Sequence, residues 1–346
     1  MNKTVDINKT RIGVVGGGAW GTALAKLLAD KGFVLDLWVF EQEVKEQIEK
    51  DRENKIFLPS IKLPDNIIPS NDLETVVKDK DLVLVVVPSH CMRDMAGKMK
   101  DFINPETIIV TASKGIENKT HLTMTQILAE KIDFLPVTNL AVLSGPSFAK
   151  EVANHVPTVV AAASVNRETA EYVQKIFSGP AFRVYVNDDP IGTQLGGAMK
   201  NVLAIAAGIC DGMQMGLNPR AALITRGLTE MNRLGTKLGA DPLTLAGLAG
   251  VGDLLLTCTG ALSRNYTVGK QIGEGKKLDE IIAEMRMVAE GVKTTRSVYN
   301  LSKKLGVDLP ICNEVYMVLF EGAAVKETVD RLMNRSLKHE LDGIVD

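Results

Sequence analysis

Short apolar runs alternate with amphipathic segments through the first half of the chain. Helical spacing of apolar residues between several of these runs covers 22–31, 89–102 and 121–131. Because apolar strands separated by helices are typical of a parallel sheet covered on both faces, we predict an α/β, doubly wound, Rossmann-type domain. The predicted strands are 12–15, 34–39, 82–87, 107–111, 141–143, 158–162 and 183–186.

The second half of the chain has a different pattern. Asp188, Asp189 and Pro190 resemble a helix start, with an acidic cap and a proline in the first turn. Long periodic stretches rich in Ala, Leu, Gly and Met follow, and strand patterns disappear. We therefore predict two domains, an α/β domain at 1–189 and an all-α domain at 190–346.

Composition and charge narrow the class of protein. The chain has 346 residues, of which 45% are hydrophobic and 24% charged, which excludes a disordered chain. Its 40 Lys and Arg residues balance 42 Asp and Glu residues, a net charge of −2. This balance predicts neither nucleic-acid binding nor attraction to an anionic membrane.

Cysteine, histidine and apolar patterns indicate the compartment. The four cysteines are scattered, as in reduced cytosolic proteins, and the four histidines have no metal-ligand spacing, so we expect no metal. The N-terminus lacks an apolar signal core. The longest apolar stretch, 195–210, is interrupted by Lys200 and Asn201 and is too short to cross a membrane. We expect a soluble cytoplasmic protein without membrane insertion.

A glycine-rich loop follows the first predicted strand. Gly16, Gly18 and Gly21 fit the pattern G-x-G-x-x-G between a strand and a helix, where backbone N–H groups bind a pyrophosphate. The alternative is a glycine-rich turn that binds nothing. The second strand ends at Phe40 and Glu41, an acid without a base, which favours NAD over NADP. Alternatively, Glu41 is a solvated residue at a helix start.

Polar residues also follow three later strands, at the edge of a parallel sheet where ligands bind. They include His90, Lys114, Gly145 and Ser147. Each alone has the alternative interpretation of an ordinary turn. The sequence around Ser147 lacks the second glycine of a nucleophile elbow, and no triad partners are evident, so hydrolase chemistry is set aside.

Two lone charges interrupt apolar stretches of the second half. Lys200 is the only charge in 195–210, and Asp253 is the only charge in 242–263. Because an unpaired buried charge is unfavourable, we expect both to face one cleft. Desolvation there would lower the pKa of Lys200 towards the range of a general acid or base. Alternatively, Lys200 reaches solvent and Asp253 caps a helix.

Small and polar residues accompany these charges. A face of small residues runs beside Lys200 and lets another element or a ligand approach. Ser263, Arg264 and Asn265 follow the second stretch and suit a phosphate, because arginine is a planar bidentate donor. The alternative is a surface arginine after a turn. The small-residue face comprises Gly197, Asn201, Ala204 and Gly208.

Eight short motifs in one order resemble the bacterial NAD(P)-dependent glycerol-3-phosphate dehydrogenase family. The resemblance implies interconversion of dihydroxyacetone phosphate and sn-glycerol 3-phosphate with NAD or NADP and no metal. It also implies a Rossmann domain, a helical substrate domain, a homodimer and supply of glycerol 3-phosphate for phospholipid synthesis. The motifs run from about residue 11 to 340 and are GGGAWGTAL, VPSH, SKG, SGPSFA, LGGAMKN, GDLLLTCT, LSRN and VAEGV.

The resemblance also implies roles for individual residues. Lys200 is expected to be the general acid/base, with Lys114 and Asp253 as further catalytic residues. Phe40, where many bacterial members have a base, and Gln194, where a glutamate is usual, depart from the family pattern, which leaves NADP preference open. The substrate-site residues that the resemblance implies are Lys114, Gly145, Ser147, Lys200, Asp253, Ser263, Arg264 and Asn265, and the face beside Lys200 adds Asn201. The cofactor contacts that the resemblance implies are Ala19, Trp20, Ala149, Arg264, Val288 and Glu290. Together with the glycine-rich loop and the end of the second strand, the predicted set also includes Gly16, Gly18, Gly21, Phe40, Glu41 and Lys114.

Two other functions remain open from the residues alone. One is a dehydrogenase of the same plan that acts on a hydroxy acid or a sugar acid. The other is a nicotinamide-binding sensor without catalysis, which explains the glycine loop but not Lys200, Asp253 and Arg264.

Overall fold

A computed structural model describes residues 6, 9–260, 262–285 and 289–340. The chain forms two compact units. Unit 1 comprises Met1–Ser113 and Met124–Pro190, and unit 2 comprises Lys114–Thr123 and Ile191–Asp346. The ten-residue segment 114–123 therefore leaves the first unit and packs with the second, an excursion that the sequence did not predict.

Unit 1 contains an eight-stranded sheet of order β10-β9-β8-β7-β6-β1-β2-β5 and a separate hairpin of β3 and β4. All seven predicted strands are present, so the doubly wound α/β prediction is confirmed. The strands are β1 (Ile12–Val15), β2 (Leu35–Trp38), β3 (Glu53–Asn54), β4 (Leu58–Lys62), β5 (Ile67–Ser70), β6 (Leu82–Val85), β7 (Ile108–Thr111), β8 (Leu140–Ser144), β9 (Thr158–Ala163) and β10 (Phe182–Asn187).

Helices connect most of these strands. The strongly apolar strands β1, β6, β7 and β8 are buried along their whole length, as strands covered on both faces must be. The helices are α1 (Ala19–Asp30), α2 (Gln42–Asp51), α3 (Leu73–Val77), α4 (Met92–Met99), α5 (Met124–Lys131), α6 (Ala149–Ala153) and α7 (Arg167–Phe177).

Two features of the sheet differ from the prediction. β9 runs antiparallel to β8, with Leu143 opposite Ala162, and β10 runs parallel to β9. The direction could not be predicted because a strand buried on both faces has the same apolar pattern either way. β5 was missed because Pro69 interrupts its strand pattern, which is tolerated because β5 lies at the sheet edge.

The regular elements that the structure describes in unit 2 are all helices, as predicted. The long central helix α8 is buried at every residue from Gly192 to Cys210. A Cβ atom on Gly208 would lie 2.1 Å from the Tyr266 carbonyl oxygen, so the small-residue face of α8 lets a neighbouring helix approach closely. The helices are α8 (Pro190–Gly212), α9 (Leu217–Lys237), α10 (Pro242–Leu245), α11 (Asp253–Thr259), α12 (Arg264–Gly273), α13 (Leu278–Glu284), α14 (Glu290–Leu305), α15 (Pro310–Phe320) and α16 (Val325–Met333).

One stretch of unit 2, Pro242–Thr259, is long and apolar enough to cross a membrane by length and composition alone. In the structure it is divided into α10, a π-helical turn at Leu248–Gly252 and α11. Asp253, the one charged residue between 242 and 259, is buried and ion-paired. These breaks and this ion pair favour a core segment of unit 2 over a continuous spanning helix.

A buried carboxylate joins two helices of unit 2. Glu230 on α9 accepts hydrogen bonds from the backbone N–H groups of Ile311 at 2.6 Å and Cys312 at 3.0 Å, at the start of α15. Burial raises the pKa of Glu230 from its ordinary 4.5 to about 7, although the two N–H donors oppose this rise. Glu230 therefore couples the packing of α15 to pH.

Glu230 should make unit 2 less stable as the pH rises from about 5 to 8. Between the two pKa values the unfolded chain binds fewer protons than the folded chain, so the free energy of unfolding falls, by up to about 3 kcal/mol. Urea unfolding of wild type and Glu230→Gln at pH 5 and pH 8 measures this term. The variant should lack this part of the pH dependence, whereas the exposed control Glu327→Gln should retain it. Equal pH dependence in wild type and Glu230→Gln would contradict the assignment.

Candidate active site

Asp253 lies between two lysine ammonium groups of unit 2. Its Oδ1 atom is 2.6 Å from Lys200 Nζ, and its Oδ2 atom is 2.6 Å from Lys114 Nζ. Asp253 is only 1% exposed and Lys200 only 7% exposed. The structure thus places both lone charges of the sequence in one buried cluster, with Lys114 as a third member.

Thr257 completes this cluster, and sequence reasoning missed it. It lies one helical turn after Asp253 on α11, and its hydroxyl donates to the Asp253 backbone carbonyl at 2.6 Å. The Thr257 hydroxyl oxygen also accepts a hydrogen bond from Lys200 Nζ at 2.7 Å. Its four-residue separation from Asp253 is the one signal that could have indicated it, because such residues share a helix face.

The surroundings of Lys200 lower its pKa to about 8. Desolvation by burial is the largest cause, and the charge of Lys114 adds to it, whereas Asp253 opposes both. An amine with this pKa exists in both protonation states near neutral pH. Lys200 is therefore able to donate and to accept a proton, as a general acid/base must.

The segment 114–123 that carries Lys114 is fixed to the core of unit 2. Ile116 belongs to the apolar core of this unit. The buried hydroxyl of Ser297 on α14 lies 2.8 Å from the Ile116 carbonyl oxygen and 2.8 Å from Asn118 Oδ1. These contacts hold the backbone two residues beyond Lys114 and so restrict where its ammonium group lies.

The starts of α12 and α14 meet beside Lys200. Asn265 Oδ1 accepts a hydrogen bond from the Gly291 N–H at 2.9 Å. A Cβ atom on Gly291 would lie 2.6 Å from the Asn201 carbonyl oxygen, so α14 begins against the residue that follows Lys200. Asn201 is itself only 5% exposed and directly follows Lys200, which makes its side-chain amide a candidate donor to a ligand.

Arg264 and Ser263 give the start of α12 the character of an anion site. Ser263 caps the helix by accepting a hydrogen bond from the Tyr266 N–H at 3.2 Å. Arg264 is the first helical residue; its side chain is exposed and makes no hydrogen bond or ion pair with any described residue. A helix N-terminus and a free guanidinium both favour a phosphate.

Arg264 and Glu290, which the resemblance implied as cofactor contacts, lie near each other. Desolvation by the surrounding protein lowers the pKa of Arg264 even though its side chain is exposed, and Glu290, the first residue of α14, opposes this shift. This electrostatic interaction places the two residues near each other. Val288, also expected to contact the cofactor, lies outside the described residues.

The glycine-rich loop of unit 1 fits a dinucleotide pyrophosphate. Gly16 has φ +124°, and a Cβ atom on Gly21 would lie 1.9 Å from the Gly16 carbonyl oxygen, so both positions require glycine. A Cβ atom on Gly18 would meet nothing within 4 Å. The first turn of α1, which begins at Ala19, contains no acidic residue, and Trp20 Nε1 is buried without a partner among the described atoms. The loop thus offers free backbone donors and an uncompensated side-chain donor.

The end of β2 lies beside this loop, because the Gly16 N–H donates to the Trp38 carbonyl at 3.1 Å. Phe40 is 77% exposed and its ring lies 6.1 Å from that of Trp38. Glu41 precedes α2, and its carboxylate does not cap that helix. An exposed aromatic ring and an acid at this position suit an adenosine ribose with free hydroxyls.

The remaining expected site residues lie at the end of β8 in unit 1. Gly145 has φ +150°, and Ser147 Oγ donates to its carbonyl oxygen at 2.9 Å in a turn that precedes α6. Ala149 is the first residue of α6 and packs against the core of this unit. These three residues therefore belong to unit 1, whereas Lys114, Lys200, Asp253 and Arg264 belong to unit 2.

Comparisons with known proteins show which family the chain is similar to. Models of the N-terminal and C-terminal parts of NAD-dependent glycerol-3-phosphate dehydrogenase match residues 11–170 and 189–330. A glycerol-3-phosphate dehydrogenase [NAD(P)+] of Syntrophobacter fumaroxidans is 53% identical over 331 residues, which cover 96% of this chain and 97% of that protein. One from Geobacter sp. (strain M21) is 53% identical over 330 residues, 95% of this chain and 98% of that protein.

A solved structure gives the same result. The crystal structure of glycerol-3-phosphate dehydrogenase from Coxiella burnetii has a TM-score of 0.91 and 39% identity, covering 94% of this chain and 99% of that one. The match includes both the Rossmann-type sheet and the helical region. The resemblance found in the sequence is thus confirmed, and the chain belongs to the NAD-dependent glycerol-3-phosphate dehydrogenase family.

Proposed function

We propose that this protein catalyses the reversible reduction of dihydroxyacetone phosphate to sn-glycerol 3-phosphate with NADH or NADPH. The observation that carries the proposal is the buried cluster of Lys114, Asp253 and Lys200 near the start of α12. Such a cluster supplies a proton, and the helix start supplies donors for a phosphate. The names of the relatives support the same reaction.

Proton transfer is the task of Lys200. The nicotinamide, when bound, supplies the hydride that adds to the ketone carbon. Lys200 donates its proton to the ketone oxygen as the new alcohol forms, and in the reverse direction the neutral amine accepts that proton. Its pKa of about 8 suits both directions near neutral pH.

The neighbours of Lys200 orient its ammonium group and stabilise the charge that develops on the substrate. Asp253 and Thr257 hold the Lys200 ammonium group through hydrogen bonds, so its proton has a defined direction. Lys114 and Asn201 donate to the ketone oxygen as negative charge develops there. A preorganised donor of this kind typically contributes about 2–4 kcal/mol to the transition state.

Substrate and cofactor are proposed to bind to two different sets of residues. Arg264, with Ser263 and Asn265, binds the substrate phosphate, and family resemblance adds Gly145 and Ser147. Binding energy from this remote phosphate positions the reacting carbonyl. The cofactor is proposed to be held by Gly16, Gly18, Ala19, Trp20, Gly21, Phe40 and Glu41, with Lys114, Ala149, Arg264 and Glu290 as further contacts from resemblance.

Family membership also supports a wider role. We propose a domain division at residues 189 and 190, with cofactor binding before it and substrate binding after it. We further propose a cytoplasmic homodimer that supplies glycerol 3-phosphate to phospholipid synthesis. Light scattering of the purified chain tests the dimer, since a mass equal to that of one chain would exclude it.

Initial rates with dihydroxyacetone phosphate test the reaction. Consumption of NADH and NADPH is measured in parallel, and we expect turnover with a preference for NADH. The reason is that the Glu41 carboxylate repels the additional phosphate of NADPH. Preference for NADPH would contradict this interpretation of Glu41. Cofactor binding without turnover on this ketone would refute the substrate assignment, and turnover on a hydroxy acid instead would favour a different dehydrogenase.

A further inference from the structure

Asn54 is a buried amide with complete hydrogen bonding that no catalytic step uses. It is 0% exposed and lies in β3, a strand absent from the sequence prediction. Its Nδ2 atom donates to the Gly17 carbonyl at 2.8 Å and to Thr22 Oγ1 at 2.9 Å. Its Oδ1 atom accepts from the Phe57 N–H at 3.0 Å. Asn54 thus connects the β3–β4 hairpin to the glycine-rich loop.

The Gly17 carbonyl is held by two donors. Thr22, fully buried on α1, donates from its hydroxyl to the same oxygen at 3.2 Å. The peptide between Gly17 and Gly18 is trans, as no described bond is cis, so the Gly18 N–H points in the opposite direction from the Gly17 carbonyl. Fixing the carbonyl towards Asn54 and Thr22 therefore fixes the N–H away from them.

No backbone carbonyl of the described residues accepts from the Gly18 N–H, and a Cβ atom on Gly18 would meet nothing within 4 Å. The loop would otherwise be free to rotate this peptide, because glycine accepts most backbone conformations. Rotation would turn the N–H away from an incoming phosphate and would place a carbonyl oxygen there instead. Such a peptide flip would replace attraction of an anion by repulsion.

We propose that Asn54 is a positioning residue for the dinucleotide, which orients the Gly17–Gly18 peptide so that its N–H faces the pyrophosphate. This inference rests on the dinucleotide part of the proposed function. It does not depend on the identity of the second substrate. Thr22 is the second anchor of the same peptide.

A matched control is present in the same unit. Asn66 Nδ2 also donates two hydrogen bonds to backbone carbonyls, to Ala29 at 2.8 Å and to Phe33 at 2.7 Å. These contacts lie at the opposite end of α1 from the glycine-rich loop. Asn66→Ala therefore removes comparable hydrogen bonds without disturbing the Gly17–Gly18 peptide.

The test is the dissociation constant of NADH and of ADP-ribose for wild type, Asn54→Ala and Asn66→Ala, measured by calorimetry, with thermal midpoints recorded for each. We expect Asn54→Ala to weaken both ligands about 10–30-fold, as loss of a buried hydrogen-bonding amide would. Asn66→Ala should change them less than about threefold while lowering the midpoint similarly. Thr22→Ser, which keeps the hydroxyl, should remain near wild type, and Thr22→Val should weaken binding.

The binding measurements separate a failure of the Asn54 positioning role from a failure of the dinucleotide assignment. Unchanged affinity in Asn54→Ala, or equal loss in Asn54→Ala and Asn66→Ala, would overturn the positioning role. Absence of NADH binding by the wild-type protein would instead overturn the dinucleotide assignment itself. If Asn54→Ala fails to fold, Thr22→Val against Thr22→Ser carries the same comparison, and equal affinity in these two variants would also overturn the role.

Discussion

Replacing Lys200 with alanine is expected to lower kcat for dihydroxyacetone phosphate reduction by about 10²–10⁴-fold. The variant loses the proton donor, and the Asp253 carboxylate then keeps only Lys114 as a charged partner. Binding of NADH should persist, because the glycine-rich loop belongs to unit 1. Single-turnover measurements with a pre-bound cofactor separate the chemical step from binding.

Lys26→Ala is the control for this loss. Lys26 is also largely buried and ion-paired, with Asp30 at 2.6 Å, but it lies on α1 in unit 1. It should affect stability and leave kcat within about threefold of wild type. A decrease in kcat of less than tenfold for Lys200→Ala would remove Lys200 from the acid/base role.

Removal of Arg264 should affect phosphorylated substrates far more than unphosphorylated ones. We expect Arg264→Ala to lower kcat/KM for dihydroxyacetone phosphate by about 10–10²-fold, because charge-assisted hydrogen bonds contribute about 1.5–3 kcal/mol. With dihydroxyacetone the change should stay below about threefold. The guanidinium is exposed and its one resolved electrostatic partner among the described residues is Glu290, which is itself only half-buried, so the variant leaves no fully buried charge unpaired.

The specificity of this effect is checked on the same helix. Lys270 is an exposed cation nearly two turns further along α12, so Lys270→Ala removes one positive charge without touching the helix start. Its ratio of kcat/KM values for the two ketones should equal that of wild type. If Arg264→Ala reduces both ketones equally, Arg264 does not bind the phosphate.

The sequence predicted the parts of the site that burial makes conspicuous. Lys200 and Asp253 could be singled out because a lone charge in an apolar stretch is unfavourable unless it is paired. Thr257 could not be singled out, because a threonine in an apolar helix often does no more than donate its hydroxyl to the backbone carbonyl one turn earlier. Its role depends on a hydrogen bond to a side chain 57 residues away.

Long-range topology marks the limit of prediction for the fold. Each strand of the main sheet except β5 could be located from its apolar run or its apolar–polar alternation, because local burial determines these patterns. Lys114 was placed after a strand of the first domain, yet its segment packs with unit 2. No local pattern indicates such an excursion, since its contacts, such as Ser297 with Ile116, join residues 181 positions apart.

We propose that Lys200 transfers the proton within a cluster of charged side chains that sets its pKa. The most direct measurement is the pH dependence of kcat/KM for dihydroxyacetone phosphate reduction in wild type, Asp253→Asn and Lys114→Gln. Reduction requires protonated Lys200, so the wild-type rate should fall above about pH 8. Because Asp253 raises this pKa and Lys114 lowers it, the descending limb should move to lower pH in Asp253→Asn and to higher pH in Lys114→Gln. A limb that stays in place in both variants, or that moves in the same direction in both, would contradict the account.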